Sequence, residues 1–195
     1  MSTAIENETL LGLADMLKVA PESFSEEINL IAATNGRYIK DLKINLSNGL
    51  AYSNLSKKES YLLALSVAVN EKSNSLKATF LPLAKAEGAT DEEIAETYAC
   101  VSLLNANNVF YRFRHFTKKE YYETTPAGIK MTVMMNPVMG KEFFELMSLA
   151  VSALNGCELC VNSHEASLVG LGTTQARIYD AVRLTAIVRS FAVIS

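Results

Sequence analysis

Residues 141–165 read KEFFELMSLAVSALNGCELCVNSHE, and the pattern is helix, break, helix. KEFFELMSLAVSAL is an apolar helical run, the Asn155-Gly156 pair interrupts it, and a second helix begins near Cys157. The chain holds only three cysteines and two histidines, and three of those five residues fall between 155 and 165. Most of the reactive chemistry open to this protein therefore lies beside one helical break.

The same pattern occurs once before. Shifting the sequence by 84 positions places Leu62 on Leu146, Leu65 on Leu149, Val67 on Val151, Gly88 on Gly172, Thr90 on Thr174 and Ile94 on Ile178, without a gap. A three-helix unit is thus expected twice, at 57–107 and 141–191. In this alignment Cys157, Cys160 and His164 fall on Ser73, Leu76 and Phe80. A dithiol needed only to hold the fold would be expected in both halves. Its presence in one half points to chemistry.

Outward from these units the text stays helical. ETLLGLADMLKVA has leucines at helical spacing and is expected to end at Pro21. The stretch from Ser25 to Asn54 reads as one or two helices, with Asn-Gly pairs at 35–36 and 48–49 as breaks. Ser56 with Glu59 resembles a capping box, and Thr90 precedes an acidic first turn that suits the positive end of a helix dipole. Between Phe116 and Pro137 the text turns irregular, with one strand-like run from Ile129 to Met135. The expectation is an all-α fold in a single domain, 1–195. It comprises N-terminal helices (1–56), a degenerate unit (57–107), a connector (108–140) and a catalytic unit (141–195).

Composition narrows the function. With 49% apolar and 20% charged residues the chain is globular rather than disordered. A net charge of -3 with no basic block argues against nucleic acid as a partner. No signal peptide is visible in MSTAIENETLLGL, and no apolar run approaches membrane-spanning length. The odd, low cysteine count fits a reducing cytoplasm, where a close cysteine pair is catalytic or metal-binding more often than a structural staple.

Residues three apart on a helix have Cα atoms roughly 5 Å apart, within the range a disulfide tolerates. Cys157 and Cys160 can therefore open and close a disulfide with little backbone motion, and His164 lies one turn beyond Cys160 on the same face. Cys157 falls in the first turn, where free N–H groups and the helix dipole favour a thiolate. Because the preceding helix runs antiparallel, Glu145, ten residues before Asn155, is expected opposite His164, nine residues after it. A carboxylate there would fix the imidazole tautomer and raise its basicity. Zinc held by two thiolates, an imidazole and a carboxylate is an alternative, as is plain core packing of the cysteines. A c-type haem is excluded because Val161 follows the second cysteine. Cys100 aligns with Leu184 and reads as a core residue, His115 as a polar residue at a helix end, and Met131, Met134 and Met135 as packing.

A glutamate twelve residues before Cys-x-x-Cys, with histidine four residues after it, resembles the AhpD-like alkyl hydroperoxide reductases of the carboxymuconolactone decarboxylase superfamily. The likeness extends to YIKDLKINLSNG, NNVFYRFRHF, the MNP at 135–137 and FELMSLAVSALNGC. The resemblance implies a duplicated all-helical fold, a homo-oligomer (a trimer or a multiple of it), and an antioxidant peroxidase that uses dihydrolipoyl groups as external reductant. It implies no tightly bound cofactor or metal, and as partners a lipoyl-bearing protein and the peroxiredoxin AhpC. By carry-over Cys160 is the peroxidatic thiol, Cys157 the partner that closes the disulfide, and His164 with Glu145 the proton relay. Some members carry a further histidine immediately before the second cysteine; here that position is Leu159, which shortens the relay on the Cys157 side. Two rivals remain. One is a redox-sensing or zinc-holding interaction protein without turnover; the other is a lactone decarboxylase of the same superfamily, whose chemistry has no evident use for a dithiol.

Overall fold

The structure, a computed structural model, describes residues 7–34 and 36–195. Residues 1–6, and Asn35 of the first expected break, lie outside the described residues. The described chain is all-α, as expected. Its helices are α1 (Glu8–Leu17), α2 (Glu26–Ala33), α3 (Arg37–Gly49), α4 (Lys57–Asn70), α5 (Asn74–Ala86), α6 (Asp91–Thr117), α7 (Glu120–Thr124), α8 (Lys141–Leu154), α9 (Glu158–Gly170) and α10 (Gln175–Ala192).

The repeat is visible in the helix starts. α8, α9 and α10 each begin 84 residues after α4, α5 and α6. The local signals that set those starts recur as well. Ser56 and Glu59 form a full capping box on α4, as Thr90 and Glu93 do on α6, and Thr174 caps α10 through the Arg177 N–H. Gly88 and Gly172 end α5 and α9 at φ +85° and +84°.

α4 and α8 form the centre. α4 is buried from Leu62 through Ala68 and α8 from Phe143 through Ser152, so each is covered on every side. Within a unit, α4 packs on α5 and α6, and α8 on α9 and α10. Between units the outer helices cross over, α10 onto α4 and α6 onto α8. Such reciprocity is what a twofold relation between the halves produces. Polar anchors follow the same relation. Glu96 on α6 accepts from the Val138 and Met139 N–H groups ahead of α8, both at 2.8 Å. Asp180, its counterpart on α10, accepts from Asn54 ahead of α4 at 2.8 Å. The Lys58–Glu93 bridge (2.7 Å) reappears with its signs reversed as Glu142–Arg177 (2.8 Å).

Three local expectations differ from the structure. α1 ends at Leu17 with Lys18 in the left-handed region, and Pro21 instead opens a short 3-10 turn. α3 runs through Asn48 to Gly49, so the second Asn-Gly pair lies inside the helix end rather than breaking it. The run Ile129–Met135 forms a 3-10 turn at Thr132–Met134, with Met134 and Met135 N–H groups bonded to Met131 and Thr132 carbonyls. There is no strand among the described residues for it to pair with, and an isolated extended run leaves its backbone groups unsatisfied.

Candidate active site

The site is built on the turn between α8 and α9. Gly156 takes φ +66°, a conformation disfavoured for residues with a Cβ, and brings the Cys157 N–H back to the Ser152 carbonyl at 3.0 Å. A polar clamp fixes this turn from the side. Asn155 donates to Asn108 Oδ1 (2.9 Å) and accepts from Asn70 (3.1 Å), while its carbonyl accepts from Arg112 at 2.6 Å. Asn108 in turn donates to Ser152 Oγ at 3.0 Å. The residue before Gly156-Cys157 is therefore held through its side chain and its backbone.

Cys157 and Cys160 are joined as a disulfide, with Cα atoms 5.3 Å apart. Cys157 is the residue that precedes α9, and it makes no side-chain cap. The two cysteines are not equally placed. Cys157 is 1% exposed and Cys160 7%, and of the pair it is Cys160 that lines a cavity of about 450 Å³. His164 and Leu159 from α9, Glu145 from α8, Asn107 and Tyr111 from α6, and Met131 and Met134 from the connector are among its other walls.

Glu145 and His164 meet as the antiparallel hairpin requires, with Glu145 Oε2 2.7 Å from His164 Nδ1. Glu145 is 5% exposed, and its other oxygen lies 2.9 Å from Lys141 Nζ. Burial pushes the Glu145 carboxyl up, but the bonds from His164 and Lys141 outweigh it and hold the group below the ordinary carboxylate range. A charged carboxylate on Nδ1 places the imidazole proton there and leaves Nε2 as the basic nitrogen. Among the described residues no group of three or more His, Cys, Asp or Glu side chains is arranged to hold a metal ion.

The remaining reactive residues occupy the following positions. Cys100 is fully buried on α6 beside Ser148 Oγ (3.6 Å), and burial raises its thiol to about 12. His115 sits in the last turn of α6, with Nε2 3.4 Å from the carboxylate of Glu158, the residue directly after Cys157. Met131 and Met134, read from sequence as packing, form a wall of the cavity beside Cys160, and Met131 Sδ accepts from Asn107 at 3.2 Å. The sequence reading also missed Lys141, Asn108 and Arg112. Only Lys141 carried a local signal, the i,i+4 spacing to Glu145.

Residues 127–194, which contain the whole hairpin, match the carboxymuconolactone decarboxylase family. Over about four-fifths of its length the chain resembles curated proteins named alkyl hydroperoxide reductase AhpD. That of Maricaulis maris is 41% identical over 162 residues, covering 80% of this chain and 90% of the relative. That of Anaeromyxobacter dehalogenans is 38% identical over 154 residues (79% and 82%), and that of Rhodopseudomonas palustris 37% over 156 residues (80% and 86%). With this coverage and a helical hairpin of the expected form, the chain belongs to the AhpD alkyl hydroperoxide reductases of the carboxymuconolactone decarboxylase family.

Proposed function

We propose that the chain is a thiol peroxidase that reduces alkyl hydroperoxides through Cys157 and Cys160. One observation carries the reading: Cys160, and not Cys157, opens onto a largely apolar cavity that also contains His164 and its carboxylate partner. In the reduced state His164 takes the Cys160 proton. The thiolate attacks the terminal oxygen of the hydroperoxide, the O–O bond breaks, and the alkoxide leaves with a proton as the alcohol. Cys160 is then a sulfenic acid. The Cys157 thiol displaces its hydroxyl as water and restores the disulfide. An incoming dihydrolipoyl thiolate attacks the sulfur of the more exposed cysteine, Cys160, and releases Cys157 as thiolate. That leaving group sits at the start of α9, which has no side-chain cap, so free N–H groups and the helix dipole stabilise it. A second dihydrolipoyl thiol closes the reductant into lipoyl disulfide and frees Cys160.

The same cavity-lining cysteine suits dithiol exchange with the peroxiredoxin AhpC, with electrons drawn from a lipoyl-bearing protein in a reducing cytoplasm. No helix of the described residues is long and apolar enough to cross a membrane. The exposed apolar side chains of Val109, Phe113 and Phe116 along α6 support a homo-oligomer; a trimer or a multiple of it is what the family resemblance implies. Turnover of an alkyl hydroperoxide with dihydrolipoamide, with and without peroxiredoxin, tests the proposal; catalytic consumption that requires both cysteines is the expected result. Stoichiometric oxidation without turnover would favour a sensor. Zinc bound to the reduced protein, with no peroxidase activity, would favour a holder.

A further inference from the structure

Lys141 is placed against the helix dipole. It is the first residue of α8, where the field of the free N–H groups disfavours a cation, and Gly140 before it supplies no side-chain cap. Something must offset that position. The ammonium bends one turn along the helix to Glu145 Oε1 (2.9 Å) and also donates to the Met134 carbonyl at 2.8 Å.

Glu145 in turn needs it. A buried carboxylate is costly unless both oxygens are satisfied and its charge is compensated. His164 satisfies one oxygen, but a histidine that is to accept a thiol proton must begin the cycle neutral. With a neutral imidazole as sole partner, Glu145 would tend to take up a proton and lose its hold on Nδ1. Lys141 supplies an ammonium to the other oxygen. The pairing is also confined to the reactive half. Lys57 holds the equivalent place at the start of α4, but Tyr61 stands at the position of Glu145, and Lys57 forms no ion pair among the described residues.

We propose that Lys141 is a positioning residue of the redox relay: its ammonium keeps Glu145 ionised and seated on His164, and through the Met134 carbonyl it latches the connector wall of the cavity to the relay. This rests on the relay as read above. The titratable groups around Glu145 are Lys141 on its own helix, His164 and, once reduced, Cys160 on α9, and Cys100 and Tyr111 on α6, the last across the cavity. Of these, Lys141 is the one that brings an ammonium to Glu145.

The test reads the Cys160 thiolate and needs no peroxide. In a Cys157→Ser background, the rate of alkylation by iodoacetamide is followed against pH; Cys100 is buried and stays silent. Lys141→Met removes the cation at similar length. Its midpoint is expected about half a unit higher, which is about a threefold slower reaction at pH 7. Lys141→Arg should restore the wild-type midpoint. A Lys141→Met profile that superimposes on wild type overturns the proposal. An equal shift in the presence of Glu145→Gln also overturns it, because Lys141 would then act without Glu145. Should Lys141→Met fold poorly, Lys141→Gln gives the same comparison. Failure of the peroxidase assay with an intact alkylation shift would remove the proposed function and leave Lys141 in its place.

Discussion

Ser73 and Cys157 occupy the same position in the two repeats, each the residue that precedes the second helix of its unit. Ser73 Oγ accepts from the Leu76 N–H at 3.2 Å and caps α5, whereas Cys157 leaves α9 uncapped and is tied into the disulfide. One half uses the position to cap a helix and the other to form a disulfide. The repeat alignment sets Ser73 opposite Cys157 but does not reveal the cap.

Opposite stability effects are therefore expected at the two positions. Ser73→Ala should lower stability by about 1 kcal/mol with peroxidase activity unchanged. Cys157→Ser should raise stability, relative to the reduced wild type, by up to about 1 kcal/mol, because a serine hydroxyl can cap α9. Urea denaturation under reducing conditions measures both. A Cys157→Ser variant less stable than the reduced wild type would show that the start of α9 cannot accept a cap.

The relay makes a kinetic prediction. Glu145→Gln keeps the shape but removes the charge that supports His164, and peroxide reduction at pH 7 should slow by about tenfold or more. Part of that loss should be recovered at higher pH, where the thiol ionises without a base. The pH dependence of the single-turnover rate decides it. An unchanged profile removes Glu145 from the mechanism.

The parts of the site that were legible in sequence are those governed by local rules. Caps at Ser56 and Thr90 fix helix starts within a few residues, and a hairpin around Asn155-Gly156 obliges Glu145 and His164 to face each other. What stayed hidden depends on tertiary approach. Asn108 and Arg112 reach Asn155 across more than forty positions, because α6 crosses onto α8. Met131 and Met134 enter the cavity from a connector whose residues follow no helical or strand period, so nothing in their spacing announces a wall. His115 reads as an isolated histidine because its neighbour Glu158 is supplied by the far repeat.

Acid should destabilise the fold through the cluster at Arg177. Its guanidinium bonds Glu142 at 2.8 Å and Glu59 at 2.5 Å. Arg177 holds the Glu142 carboxyl below the ordinary range; at Glu59 burial pushes upward, but the bonds from Arg177 and Ser56 prevail. Groups lowered in the folded state contribute stability above the unfolded value of about 4.3 and lose it as pH falls through the folded one. The melting temperature should thus fall on acidification from pH 5 to pH 3. Arg177→Met should cost about 2 kcal/mol at pH 7 and flatten that acid dependence. Melting curves at several pH values compare the two proteins, and parallel acid losses would show that other carboxylates dominate.

The two cysteines should separate under a brief peroxide pulse. Cys160 lines the cavity one turn from His164, whereas Cys157 is 1% exposed and lies behind it at the start of α9. In Cys157→Ser the Cys160 thiolate should still attack peroxide, and with no resolving thiol its sulfenic acid should persist for labelling by a sulfenate-specific probe. In Cys160→Ser turnover should cease and labelling should drop sharply, because the remaining thiol is shielded and lacks the histidine. Cys100 contributes no signal in either variant, since burial raises its thiol to about 12 and keeps it protonated. Mass spectrometry that assigns the label to a residue makes the comparison direct. Label on Cys157 would reverse the roles and show that the helix start, rather than the histidine, selects the activated thiol.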